Sequence, residues 1–209
     1  APGWVLTIAG VVAGISVLVV RWLGGNPTAW WMSKWESWLV TPPEVQNAGT
    51  EHLVPELLRF LESIAPVMTG VVISGFLLLV ILTLFLARWG QALLDNPGGF
   101  GEEFRDLALP KGAAYTATLI ALAIMFSSGS LKDIAAEFAM LLLVLYVVHG
   151  LAIVHGLVKI LSAAKGWLVL LYLVLTLTPF SSFLLLMLAM AGLSDSWVGY
   201  RRRVHNRIG

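Results

Sequence analysis

Apolar residues run almost unbroken along several stretches of this chain, and polar residues gather between them. Runs at residues 4–20, 66–87, 112–126 and 134–160 each read as a membrane-spanning helix, since a hydrocarbon core of about 30 Å takes about 20 residues at 1.5 Å rise. A last apolar stretch, residues 167–193, is interrupted at Thr178-Pro179-Phe180-Ser181-Ser182. As one helix it would be about 40 Å long, so it is either a steeply tilted span or a hairpin of two spans, near residues 162–178 and 179–198. The pattern therefore predicts an all-α, polytopic transmembrane helix bundle forming a single membrane domain over residues 1–209. It has about six spans, with five as the alternative.

Two polar segments remain. Residues 24–63 hold Trp30, Trp31, Trp35 and Trp38 before Pro42-Pro43, and acidic residues outnumber basic ones there. Trp31, Trp35 and Trp38 fall on one stripe of a short interfacial helix, where indoles act as anchors. A second short helix over residues 53–64 leads through Pro66 into the next span. Residues 88–111 form the central connector, broken at Asn96-Pro97-Gly98-Gly99 and followed by Glu102, Glu103 and Asp106. These carboxylates suit the positive end of a helix dipole. The glycines lack the phosphate-cradling GxxxxGK[ST] spacing, so they read as a turn. Ser127 to Asp133 reads as a second short turn.

Charge chooses between five and six spans. With six, the connector, the 159–165 linker and the tail share one side, gathering Arg88, Arg105, Lys111, Lys159, Lys165, Arg201, Arg202, Arg203 and Arg207. The other side keeps only Arg21, Lys34, Arg59 and Lys132. Five spans give a weaker bias, so the positive-inside rule favours six, with the connector and C-terminus cytoplasmic.

Composition agrees. A chain of 209 residues that is 58% hydrophobic and 12% charged, with mean hydropathy +0.87, has more apolar surface than one soluble core could bury. A net charge of +1 with thinly spread basic residues excludes a nucleic-acid footprint. The absence of cysteine excludes disulfides, thiolate metal sites and thiol nucleophiles. The first residues, Ala-Pro-Gly-Trp, lack a basic n-region. They read as the start of a span rather than a signal peptide, with the beginning of the chain either trimmed or left unresolved.

Candidate residues follow from what a bilayer penalises. Glu137, His149 and His155 are ionisable groups in the long apolar run 134–160, and such groups inside a membrane are functional candidates. His149 and His155, six residues apart, lie about 120° apart around a helix, so they do not form an i, i+4 metal pair. The alternative for His149 is a hydrogen-bonded packing histidine, and for Glu137 a place at the water boundary. Gly10 and Gly14, one turn apart, allow close helix contact, either within the chain or in a dimer. Ala113, Ala117 and Ala121 repeat every fourth residue as a docking face. No HExxH, GxSxG or ligand-spaced cluster is present, so no enzyme, cofactor or metal is expected.

The run Arg88-Trp89-Gly90-Gln91-Ala92-Leu93-Leu94, then Asn96-Pro97-Gly98-Gly99-Phe100 and Glu103-Phe104, resembles the YybS-like family of uncharacterised bacterial inner-membrane proteins. The pairs His149-Gly150 and His155-Gly156 extend the resemblance, as does the tail from Gly192-Leu193 through Asp195, Trp197 and Arg201-Arg202-Arg203. It covers residues 69–203. Members usually carry further N-terminal spans, which implies that this start is incomplete. The family is similar, at fold level, to the substrate-binding S components of energy-coupling-factor transporters. The resemblance implies a small-molecule-binding or transport subunit that docks on a membrane partner. The alternative is a structural or accessory subunit of a larger membrane complex. In that case Arg88, Trp89, Asn96, Gly98, Gly99, Phe100, Arg201, Arg202 and Arg203 are candidate cytoplasmic contacts, beside the lipid bilayer itself.

Overall fold

The computed structural model describes residues 2–39, 53–164, 166–177, 181–201 and 203–204. Every regular element named among them is an α-helix: α1 (Pro2–Gly24), α2 (Pro27–Leu39), α3 (Leu53–Asp95), α4 (Gly99–Arg105), α5 (Lys111–Phe126), α6 (Gly129–Ile160), α7 (Gly166–Leu177) and α8 (Ser181–Val198). Four stretches are long and apolar enough to cross a membrane: Gly3–Gly24, Val54–Asp95, Gly129–Ile160 and Ser181–Val198. Lys111–Phe126 and Gly166–Leu177 are shorter apolar helices. At 12 residues, α7 is about 18 Å long, less than a hydrocarbon core.

Helix α3 departs from the sequence reading. The short helix expected over residues 53–64 is continuous with the span, so one helix of 43 residues runs through Pro66. Proline removes one backbone donor but does not break this helix, and at about 64 Å it extends well past an apolar layer. Its C-terminal turns also absorb residues 88–95, which shortens the polar connector. Helix α6 likewise starts at Gly129, so the turn expected over residues 127–133 shrinks to its first residues. Pro42 and Pro43 lie outside the described residues.

By contacts the chain divides into two compact units. The first draws on Ala1–Val11, Phe76–Leu119 and Leu142–Gly209, the second on Val12–Gly75 and Ile120–Leu141. Helix α6 contributes to both and is the most enclosed span. Half of its apolar window is buried, against 28% for α1 and 22% for α3 and α8. The remaining apolar surface, including Ile8, Val12, Leu79, Leu82 and Phe183, is exposed as a lipid-facing surface would be.

Within the first unit, contacts tie the end of α6 and the chain's tail to α4. The end of α6 lies beside α4: Lys159 Nζ is 3.6 Å from Glu102 Oε1, and the His155 and Phe104 rings meet edge-on at 5.2 Å. The tail lies beside α4 too, because Arg201 donates a hydrogen bond to the Arg105 carbonyl. Helices α7 and α8 pack together. Residues 166–177 and 181–198 are helical, and residues 178–180 lie outside the described ones.

Candidate functional site

Two glycines create the site in the first unit. A Cβ placed on Gly150 of α6 would collide with the Leu188 carbonyl of α8, and one on Gly192 of α8 would collide with the Tyr146 carbonyl of α6. Only hydrogen fits, so the two backbones touch. That contact carries His149 and Asp195 together. His149 Nε2 stands 3.3 Å from Asp195 Oδ2, within ion-pair range, although neither ring nitrogen of His149 has a hydrogen-bond partner. His149 is fully buried and Asp195 is 7% exposed.

Asp195 is held from the other direction by the end of its own helix. Gly199 takes φ 65°, the left-handed conformation that lets a chain turn back from a helix terminus, and its N–H bonds the Asp195 carbonyl at 2.9 Å. The turn delivers the Tyr200 N–H to Asp195 Oδ1 at 2.6 Å and Arg201 Nη2 to within 3.3 Å of Asp195 Oδ2. Arg201 also binds the Arg105 carbonyl, so one guanidinium ties the tail to the connector.

Beside this cluster lies a cavity of about 550 Å³, with His149, Asp195, Ser196, Gly199 and Arg201 on one side. Asp106, Pro110 and Lys111 line it from the connector. Its volume suits a small molecule. Ser196, His149 and Asp195 bring the residue types of a hydrolase triad to one cavity, but the geometry is wrong for one. The Ser196 hydroxyl is directed to the Gly192 carbonyl at 3.5 Å, and His149 makes no hydrogen bond that would activate it.

The other two sequence candidates on α6 have their own partners. Glu137, in the second unit, is fully buried. Its Oε2 accepts from Arg21 Nε at 2.6 Å, while Oε1 has no partner. Arg21 is thus drawn into an ion pair. Gly70 lets α3 press on Glu137, since a Cβ there would sit 2.6 Å from the Glu137 Cα. One residue before it, Thr69 accepts from Trp31 Nε1 at 3.0 Å. Of the Trp stripe, Trp35 is buried and Trp38 exposed.

His155, in the first unit, approaches the Leu151 carbonyl through Nδ1 at 2.8 Å. A carbonyl only accepts, so Nδ1 carries the proton and Nε2 faces the Tyr172 hydroxyl, 3.4 Å away. Phe85, Phe100 and Phe104 complete this aromatic cluster. Glu137, His149 and His155 therefore do not form one constellation, and among the described residues no group of three or more His, Cys, Asp or Glu could hold a metal.

The small-residue faces divide. Gly10 packs on the Leu145 side chain and Gly14 on Phe138, both within this chain. On α5, Ala114 is the buried residue; Ala113 and Ala117 are half-buried and Ala121 is exposed. Among the connector residues, Arg88 and Glu103 form a two-armed pair, Arg88 Nε donating to Oε2 at 2.8 Å. This arginine holds the Glu103 carboxyl below the usual carboxylate range. Gly99 is buried against Asn96, and Gly98 precedes α4 at φ 93°. Asn96 and Trp89 are exposed. Arg201 is engaged inside the site, Arg203 is exposed and Arg202 lies outside the described side chains.

The sequence reading missed Asp195 and Lys111 as site residues and saw Arg201 only as a surface contact. A signal existed for Asp195. A carboxylate in the last turns of an apolar helix is unfavourable against the helix dipole unless a cation answers it, and Arg201 follows six residues later.

Residues 42–196 match a family model whose description is "Predicted membrane protein (DUF2232)". No curated protein matches the chain, and no solved structure does.

Proposed function

The chain belongs to this family of predicted membrane proteins, and from that premise we propose that it is a non-enzymatic subunit that binds or transports a small molecule. The cavity beside His149 is its binding site. The observation that carries this reading is the coincidence of a ligand-sized space of about 550 Å³ with a buried histidine whose ring nitrogens have no hydrogen-bond partner. Buried polar atoms are normally satisfied, and a ligand or ordered water is what satisfies them when the protein does not. A purely structural subunit would gain by filling such a space.

The S-component likeness gives the proposal its form: a binding subunit without its own energy source, docked on a membrane partner. In this reading the chain crosses six times, with α5 and α7 as the short crossings, and the connector and the arginine tail lie together on the cytoplasmic face of a bacterial inner membrane. The Arg201–Arg105 contact and the positive-inside rule support that placement.

The test is mass spectrometry of small molecules that copurify from native membranes with the wild-type protein and with His149→Leu. A bound species retained by the wild type and lost from the variant is the expected result. Equal retention by both, or no bound species with either, counts against the site. Circular dichroism on the variant shows that it is still folded.

A further inference from the structure

We infer that a second cavity, walled by aromatic rings around α4, takes the ring hydroxyl of a phenol or hydroquinone dissolved in the bilayer. It is separate from the cavity beside His149 and does not depend on the binding-subunit reading. The space is about 430 Å³, within the range of small-molecule sites, and Phe85, Trp89, Phe100, Phe104, His155 and Tyr172 line it. The rings of Phe85, Phe100, Phe104, His155 and Tyr172 approach one another at centroid separations of 5.2 to 6.1 Å. Walls of this kind suit a flat ring, stacked or edge-on. Leu82 and Leu86 of α3, one turn apart, also line the cavity and are exposed, so a guest can enter from among acyl chains.

Independently of shape, the hydrogen-bonding groups select a guest that carries a proton. Nδ1 of His155 donates to the Leu151 carbonyl at 2.8 Å, so Nε2 keeps its lone pair and can only accept. The Tyr172 hydroxyl is 3.4 Å from Nε2, longer than the usual range of about 2.5–3.2 Å, and Tyr172 is exposed. The pair is loosely closed. A guest hydroxyl placed beside both would donate to Nε2 and accept from Tyr172, exchanging one long contact for two ordinary hydrogen bonds.

Other guests match less of this wall. A quinone or an ether brings acceptors alone, and its oxygen would face the Nε2 lone pair with no proton between them. An ammonium suits aromatic faces, but Arg105 lines the same cavity, and Glu102, 4.0 Å from that guanidinium, is shared with Lys159. An acyl chain would fill the apolar part and leave Nε2 without a donor.

The experiment photolabels the full chain in maltoside micelles with para-hydroxybenzophenone and, separately, with para-methoxybenzophenone, which has the same rings without the donor. Mass spectrometry locates and counts the adducts. The hydroxy compound should label residues 82–89 and 100–105 saturably, at a half-saturating concentration about fivefold below that of the methoxy compound, as one neutral hydrogen bond provides. His155→Phe keeps an aromatic ring and removes the acceptor. It should raise the half-saturation of the hydroxy compound about fivefold and leave the methoxy compound unchanged, a split that a merely structural role would not produce. Tyr172→Phe, at an exposed position, should shift the hydroxy compound in the same direction and provides the test if His155→Phe does not fold. Equal labelling by the two compounds in the wild type would reveal a plain apolar groove and overturn the inference. So would a preference for the hydroxy compound that survives in both variants, or adducts that never saturate in these segments.

Discussion

Glu137 and His149 lie on one helix, about 18 Å apart along its axis, and both are completely buried, Glu137 against the Arg21 guanidinium and His149 with Nε2 3.3 Å from the Asp195 carboxylate. Their surroundings differ. Around Glu137 the partner is a single arginine at 2.6 Å, and two glycines bring neighbouring helices hard against it: Gly70 on Glu137 and Gly14 on Phe138. Around His149 the glycine contact falls just to one side, and the histidine, Asp195 and Arg201 border open space. The first arrangement closes on itself as a clamp between α1 and α6. The second is incomplete without something else. Burial of an ionisable group in a membrane protein is thus not enough to identify a site, and neither is an unpartnered polar atom, since Glu137 Oε1 and the His149 nitrogens alike have none; what separates the two is the cavity that His149 lines.

The sharpest way to break this comparison is to strip the clamp of one charge. Arg21→Met leaves a buried carboxylate unanswered and should cost about 3–5 kcal/mol. The pair Arg21→Met with Glu137→Met should recover most of it, because the desolvation of both charges disappears with them. Reversible unfolding in mixed micelles measures both, and a single variant as stable as wild type would show that the ion pair is not a clamp.

Next in size is Gly192→Val, which drives a side chain into the Tyr146 carbonyl and should cost about 3 kcal/mol by overpacking. The same assay on Gly90→Ala, which meets open space, is the matched control.

Asp195→Asn tests the open cluster. It keeps the shape, removes the charge that holds Arg201, and should cost about 2 kcal/mol. It should also abolish retention of the copurified molecule, whereas Arg21→Met with Glu137→Met should retain it. Loss of the molecule from the clamp variant and not from Asp195→Asn would reverse the assignment.

The smallest effect lies outside both clusters. Arg88 depresses the folded-state pKa of Glu103, so the stability this pair contributes is present above the unfolded carboxylate value of about 4.3 and is lost as pH falls through the depressed one. Stability of the wild type should therefore fall more steeply than that of Glu103→Gln as pH drops below about 4.3. Identical slopes would show that the pair does not persist in solution. Both side chains are well exposed, so the effect is modest.

Much of the fold was legible because a bilayer imposes a crude rule. Residues 4–20, 112–126 and 134–160 lie within α1, α5 and α6. The extent of α3 was not legible. Pro66 and the polar residues after Ala87 signal an ending, and only neighbouring contacts tell whether a helix ends there. The candidate site was half legible. His149 stood out as an ionisable residue in an apolar run, but Asp195 and Arg201, which line the same cavity, lie 46 and 52 residues further along, in a segment whose charges looked like a surface tail.

The sequence by itself determined that this is a helical membrane protein and which of its ionisable groups must be answered inside it, because solvation cost depends on residue type and local hydropathy alone. The tertiary structure decided which partner answers each group. Pairing depends on where glycines let two backbones touch, and Gly70, Gly150 and Gly192 look alike in sequence until the opposing helix is present. The same residue types therefore made a sealed ion pair in one place and the wall of an open cavity in another.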